Sequence, residues 1–197
     1  LEPGAPFNDV EMSQMIGISR TPVREAVIQL SEESRIIEIF PQRGMRIALI
    51  DVDLVEEARF LRLVLEKAAV ELVCGQADEE DLRWLDENIR LQEFYLEGGS
   101  SRKLLELDNE MHRKLFSICR KELTYEMSQR LAIHYDRIRS LSVAAVKDHK
   151  IIEDHKKLLE AIRSRDKKLA AETMDLHLNR WMLNEQMFRD QYPAYFK

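Results

Sequence analysis

A chain of 197 residues, 45% hydrophobic and 34% charged, can bury a sizeable core as one large domain or two modest ones. No apolar run approaches a membrane span, no charged-then-apolar leader opens the chain, and Cys74 and Cys119 stand far apart in no metal or redox spacing, so the expectation is a cytoplasmic protein with reduced thiols and no membrane partner. The formal net charge is −6, and residues 1–50 hold five Arg against seven acids, which excludes a broadly basic nucleic-acid-binding domain and leaves only a local positive stripe, weak in one copy and stronger in a dimer.

In chain order, Leu1 to Pro6 is a turn-rich entry. Asn8 or Asp9 can cap a short helix running to about Ile16, and Gly17 stops it. Ser19 can cap a second helix by accepting from first-turn N–H groups, and Pro22 is tolerated near a helix start because its missing donor would be unpaired there. Val23, Ala26, Val27 and Leu30 recur at helical spacing, leaving Ser19, Arg20, Thr21, Arg24 and Gln29 for an outer face. Such side chains bind phosphates and read bases. Two short helices joined by a glycine turn make a helix-turn-helix. Residues 35–40 then read as a strand, Pro41-Gln42-Arg43-Gly44 as a turn and residues 45–48 as the returning strand, a wing with Arg43 at its tip.

The run Ile18-Ser19-Arg20-Thr21-Pro22-Val23-Arg24-Glu25-Ala26, with Pro3-Gly4, Leu30 and Pro41-Gln42-Arg43-Gly44, resembles the GntR family of bacterial transcription regulators. The resemblance implies that Arg20 and Arg24 contact base edges or nearby phosphates, that Ser19 and Thr21 bind the DNA backbone, and that Arg43 and Gly44 enter the minor groove of a palindromic operator. It also implies a further helix ahead of Pro3-Gly4, so the winged helix is expected to be incomplete at its start. Ser34 stands where that family usually has glycine. For Arg24 the alternative is an intramolecular pair with a neighbouring acid. Arg46 reads as a solvated strand residue.

From Leu54 onward the pattern is almost wholly helical, in six segments at about 53–74, 79–97, 101–118, 121–145, 148–164 and 167–190. Gly75, Asp78, Gly98-Gly99 and Asp166 supply stops and caps. The expected architecture is mainly α: a winged helix-turn-helix in residues 1–50 and an antiparallel six-helix bundle in residues 51–197.

Within the bundle Asp108 and His112 are four apart and share a helix face. His155 lies ten residues before Arg165 and His177 eleven after Asp166, so two helices hinged at that turn carry both imidazoles to a similar height, about 15 Å from it. One carboxylate oxygen and three neutral imidazoles suit Zn, Ni, Mn, Fe or Co. This spacing, with Arg62-Leu63-Val64-Leu65-Glu66, Ala161, Asp166 and Ala170, resembles the FCD domain, the metal-containing effector domain of the FadR-like GntR branch. Arg62 is the leading candidate to receive a small carboxylate effector, because its planar fork pairs bidentately with carboxylate. A bundle salt bridge to Glu66, one turn away, is the competing role. Arg137 and Arg139 are second choices. His134 and His149 fall outside the pattern. By resemblance, the first and fourth bundle helices supply homodimer contacts.

An enzyme is the alternative, since a metal with open positions can activate water. No His-Glu-x-x-His pair and no Glu-x-x-His of di-iron bundles is present, and Glu110 lies about 200° around its helix from His112, so no general base is signalled. A stand-alone metal or small-molecule binding module is the remaining alternative. The reading favoured by the residues is a regulator, not an enzyme.

Overall fold

A computed structural model describes residues 1–145, 149–180, 182 and 185–197. The chain opens with strand β1 (Pro6–Phe7), helix α1 (Asp9–Ile16) and helix α2 (Arg20–Gln29). Asn8 caps α1 by accepting from the Val10 and Glu11 amides, and Gly17, at φ 73°, ends it. Ser19 occupies the cap position of α2, but its hydroxyl makes no capping bond, which corrects the expectation from its sequence position. A five-residue π-helical turn, Leu30–Ser34, follows α2. The left-handed residue that ends it is Arg35, at φ 54°, so Ser34 need not adopt a glycine conformation and its hydroxyl instead donates to the Leu30 carbonyl.

The wing is β2 (Ile37–Phe40) and β3 (Gly44–Ile47), joined by a tight turn with Gln42 and Gly44 at positive φ. β1 completes a three-stranded antiparallel sheet in the order β1-β3-β2, with Ile37 opposite Ile47 and Pro6 opposite Arg46. Val23, Val27, Ile37 and Ile47 form the small core of this head, because the apolar stripe of α2 faces the inner side of the wing.

The remainder is helical: α3 (Val52–Gln76), α4 (Glu79–Glu97), α5 (Ser101–Ile118), α6 (Glu122–Ala145), α7 (His149–Arg163), α8 (Lys167–Asn179) and α9 (Glu185–Gln191). α3 runs through the middle, packed on α5, α6, α7 and α8. Gly75 does not stop it: the helix continues to Gln76, and the chain turns at extended Ala77 into Asp78, which caps α4 in a reciprocal capping box with Asp81. Asp166 caps α8 through the Leu169 amide after left-handed Arg165. The single segment expected over 167–190 is two helices, α8 and α9; residues 181, 183 and 184 between them, like residue 148 at the expected start of α7, lie outside the described residues. Phe188 of α9, Leu85, Met111, Leu115, Met174 and Leu178 are fully buried in one continuous core.

Head and bundle meet at the linker. Arg137 of α6 donates to the backbone carbonyls of Ala48 and Leu49. Ile50 pairs in parallel with Phe196, exchanging backbone bonds with Tyr195 and Lys197 at 2.7 and 3.0 Å, and the Lys197 ammonium meets Asp51 at 2.8 Å. α6 also packs against the Leu30–Ser34 turn of the head, with His134 buried on α6. No helix among the described residues is long and apolar enough to cross a membrane.

Candidate metal centre

Three helices converge on one buried point. α5 contributes Asp108 and His112, α7 contributes His155 and α8 contributes His177, and one ligand atom from each lies within 4.8 Å of all the others. The ring centroids are 4.6 Å apart for His155 and His177, 5.3 Å for His112 and His177, and 6.0 Å for His112 and His155. The Asp108 carboxylate sits between two imidazoles, with Oδ2 3.5 Å from His112 Nε2 and Oδ1 3.4 Å from His155 Nε2.

A second layer of polar groups fixes the rings. His112 Nδ1 lies 2.5 Å from Glu66 Oε2, and the other Glu66 oxygen accepts from Arg62 Nε at 2.7 Å. His155 Nδ1 lies 2.8 Å from Gln92 Oε1; the Gln92 amide donates to Asn88, which donates to the Leu107 carbonyl. His177 Nδ1 is 3.8 Å from Asp154 Oδ2, longer than a hydrogen bond, and Asp154 is clamped by Arg180. Since Glu66 and Gln92 present oxygens, the protons of His112 and His155 belong on Nδ1, leaving both Nε2 lone pairs aimed at Asp108. Lone pair then faces carboxylate, with no proton between. Both Nε2 atoms are buried and lack a hydrogen-bond partner among the described residues. Buried polar atoms are seldom left so, and a cation satisfies all three groups at once.

Electrostatics agree with that fit. Burial works to raise the pKa of Asp108, but the Arg139 charge beside it prevails and the carboxyl stays well below its usual range. Burial likewise opposes ionisation of Glu66, and Arg62 with His112 outweighs it, holding Glu66 at about 2. Burial pushes His112 down, and His155 well down, from 6.5. His112 and His155 are therefore neutral and the Asp108 carboxylate is charged, the protonation states that ligation needs.

The expected effector residues divide. Arg139 donates to Asp108, Asp136 and Asn109 beside the cluster. Arg62 is buried, pairs with Glu66 and lies over the Tyr135 ring, so the competing salt bridge is present. Arg137 does not join them: its guanidinium donates to the linker carbonyls, away from the cluster, which corrects its placement beside Arg139 as an effector candidate. His134 and His149 stand outside the cluster. Sequence reasoning missed Gln92, Asn88 and Asp154 and saw Glu66 only as a partner of Arg62. Their signal was polarity at core register: Asn88 and Gln92 continue the buried spacing of Leu85, Ile89 and Leu96 along α4.

On the head, Arg20, Arg24, Arg43 and Gly44 line one groove of 580 Å³ between α1, α2 and the wing, with Ser19 and Thr21 exposed at the start of α2. Arg20 and Arg24 both bond to Asp9, so the intramolecular pairing considered for Arg24 is present. Arg46 is not merely solvated, since it pairs with Glu38 across the wing and covers Phe40.

Comparison with known proteins agrees with this architecture. Residues 57–180 match the FCD domain. The whole chain aligns with 86% of the HTH-type transcriptional repressor RspR of Escherichia coli (strain K12) at 27% identity, and 90% of it aligns with 80% of the HTH-type transcriptional regulator YdhC of Bacillus subtilis (strain 168) at 26%. The structure of E. coli McbR/YncC superposes with a TM-score of 0.81 over 98% of this chain and 90% of its own at 21% identity, and a GntR regulator of Rhodococcus sp. RHA1 gives 0.73 over 91% and 86% at 18%, likenesses of fold. The relatives carry the names of transcription regulators, not of enzymes. With its winged helix-turn-helix and helical bundle, the chain belongs to the FCD domain family and is a transcription regulator of the GntR type.

Proposed function

We propose that the protein is a cytoplasmic homodimeric regulator in which residues 1–50 grip a palindromic operator and residues 51–197 bind a divalent metal and a small organic carboxylate that alters the grip. The observation that carries this reading is the pair of buried Nε2 atoms of His112 and His155, which face Asp108 with no hydrogen-bond partner among the described residues. Asp108, His112, His155 and His177 would hold the ion, with Zn, Ni, Mn, Fe or Co matching three imidazoles and one carboxylate. When bound, such an ion supplies a fixed positive centre that attracts an anionic oxygen.

Charge balance favours an anion as the second ligand. Around the cluster Arg62 pairs with Glu66, Arg139 with Asp108 and Asp136, and Arg180 with Asp154, so a divalent cation still leaves an excess of positive charge. Arg62 and Arg139 have further N–H donors in planar array, the geometry that receives carboxylate. Arg139 also connects the site to the head. It grips Asp108 on one side of α6, while Arg137, two residues earlier on the same rigid helix, grips the Ala48 and Leu49 carbonyls. A carboxylate that draws Arg139 together with α6 would shift the helix that holds the linker. The effector then changes operator affinity by its differential affinity for the two arrangements, typically about 1–3 kcal/mol.

The test is fluorescence anisotropy with a palindromic duplex selected by the protein from a random pool, titrated with divalent ions and a panel of small mono-, di- and tricarboxylates. Binding that weakens with salt and shifts with one class of carboxylate, and a His155→Ala variant that binds DNA but ignores the carboxylate, are expected. No duplex binding at low salt overturns the regulator; an equal carboxylate response in His155→Ala overturns the sensor.

A further inference from the structure

Asp9 is an acid placed where DNA would be expected to repel it. It lines the groove that also holds Arg20, Arg24 and Arg43, and it is not needed as a cap, because Asn8 already accepts from the first amides of α1. Its Oδ2 accepts from Arg20 Nε and from Arg24 Nη1, each at 3.2 Å. The carboxylate side chain is 4% exposed, whereas the two arginine side chains are 59% and 58% exposed. The acid is therefore sunk beneath two cations that reach into solvent.

We infer that Asp9 is the positioning residue that sets Arg20 and Arg24 for reading base edges. Arg20 and Arg24 are four apart on α2, adjacent on one face, where like charges repel and drive the side chains apart. A buried carboxylate between them removes that repulsion and pins both rotamers. It does so by engaging one N–H of each guanidinium. Among the described residues, Arg20 is held at Nε and its two terminal nitrogens make no other bond, and Arg24 is held at Nη1 with Nε and Nη2 making none. Each fork thus retains two adjacent donors, the pattern that pairs with the acceptor edge of guanine in the major groove. The Arg20 hydrogen bond holds the Asp9 carboxyl below its ordinary range, so it stays ionised in this role.

The inference rests on the DNA-binding reading above, and its test separates the two. A bare negative charge beside DNA weakens binding to every duplex, so removing it strengthens binding everywhere. A positioning residue acts with the opposite sign, and only where bases are read. Full-length wild type and Asp9→Asn are compared by anisotropy on the selected palindrome and on a mixed-sequence duplex across a salt series. Asp9→Asn is expected to lose roughly ten- to a hundredfold on the palindrome, the scale of a base-edge contact, while holding or gaining affinity for the mixed duplex. Asp9→Glu is expected to recover part of the loss. In an Arg20→Ala/Arg24→Ala background the Asp9 substitution should no longer change the ratio of the two affinities. Equal strengthening or equal weakening on both duplexes overturns the inference, as does an unchanged effect of Asp9→Asn when both arginines are absent. Failure of the wild type to bind either duplex overturns the DNA-binding reading itself.

Discussion

Glu66 touches two of the groups that matter most, accepting from His112 on one oxygen and from Arg62 on the other. Glu66→Gln keeps the shape but removes the charge and one acceptor oxygen, so a single amide oxygen cannot serve both His112 and Arg62, and buried Arg62 loses its paired charge. The expected results are a loss of about 10–100-fold in metal affinity and a destabilisation of about 3–5 kcal/mol. Metal titration and denaturant unfolding measure them; unchanged affinity would remove Glu66 from the centre. The buried imidazoles also set the response to acid. Burial depresses His112, His134 and His155 below 6.5, and the unfolded chain restores that value. As pH falls through about 6.5 the unfolded state therefore takes up protons that the folded state refuses, and stability falls. Glu66 and Asp154, held at about 2, act in the same direction only at far lower pH. Metal-free protein should melt at a lower temperature at about pH 5.5 than at about pH 7.5, and an unchanged or higher midpoint contradicts this assignment. At this scale the four clustered residues were legible because i,i+4 spacing and equal distance from a turn are properties of one or two helices. Gln92 and Asp154 were not, because which polar group meets which imidazole is decided by how α4 and α7 lie against their neighbours.

α6 is the element that meets both the cluster and the linker. Arg137→Ala removes a guanidinium from the Ala48 and Leu49 carbonyls without touching the cluster. Metal uptake should be unchanged, while most of the carboxylate-induced change in operator affinity, typically about 1–3 kcal/mol, should vanish. Anisotropy with and without the carboxylate measures this, and full retention of the response would place the coupling elsewhere. Helix positions followed from capping acids and apolar spacing, as with Asp78 and Asp166. β1 was unreadable, since two residues carry no periodicity and Pro6–Phe7 becomes a strand only by pairing with β3. Residues 193–197 carry no signal of their own either; their role appears when Phe196 packs into the core and its backbone meets Ile50.

The architecture as a whole was legible because a helix-turn-helix with a wing and a run of capped amphipathic helices each leave a local pattern, and no strand interrupts the second. The assembly leaves a fainter one. Phe60 and Val64 on α3 and Leu123 and Met127 on α6 are exposed i,i+4 pairs on two helices packed together, a surface suited to a second copy. On the proposed dimer and palindromic operator, a Phe60→Glu/Met127→Glu variant should sediment as a monomer and lose operator affinity, because one head would grip only half the palindrome; a variant that remains dimeric moves the interface to another face. Everything in the sensing half depends on the cluster formed by Asp108, His112, His155 and His177. Elemental analysis of protein stripped with chelator and then dialysed against a mixture of divalent transition metals tests it most directly. The account predicts about one ion per chain in the wild type and little or none in His155→Ala. A wild type that takes up no metal, or a variant that takes up as much, contradicts it.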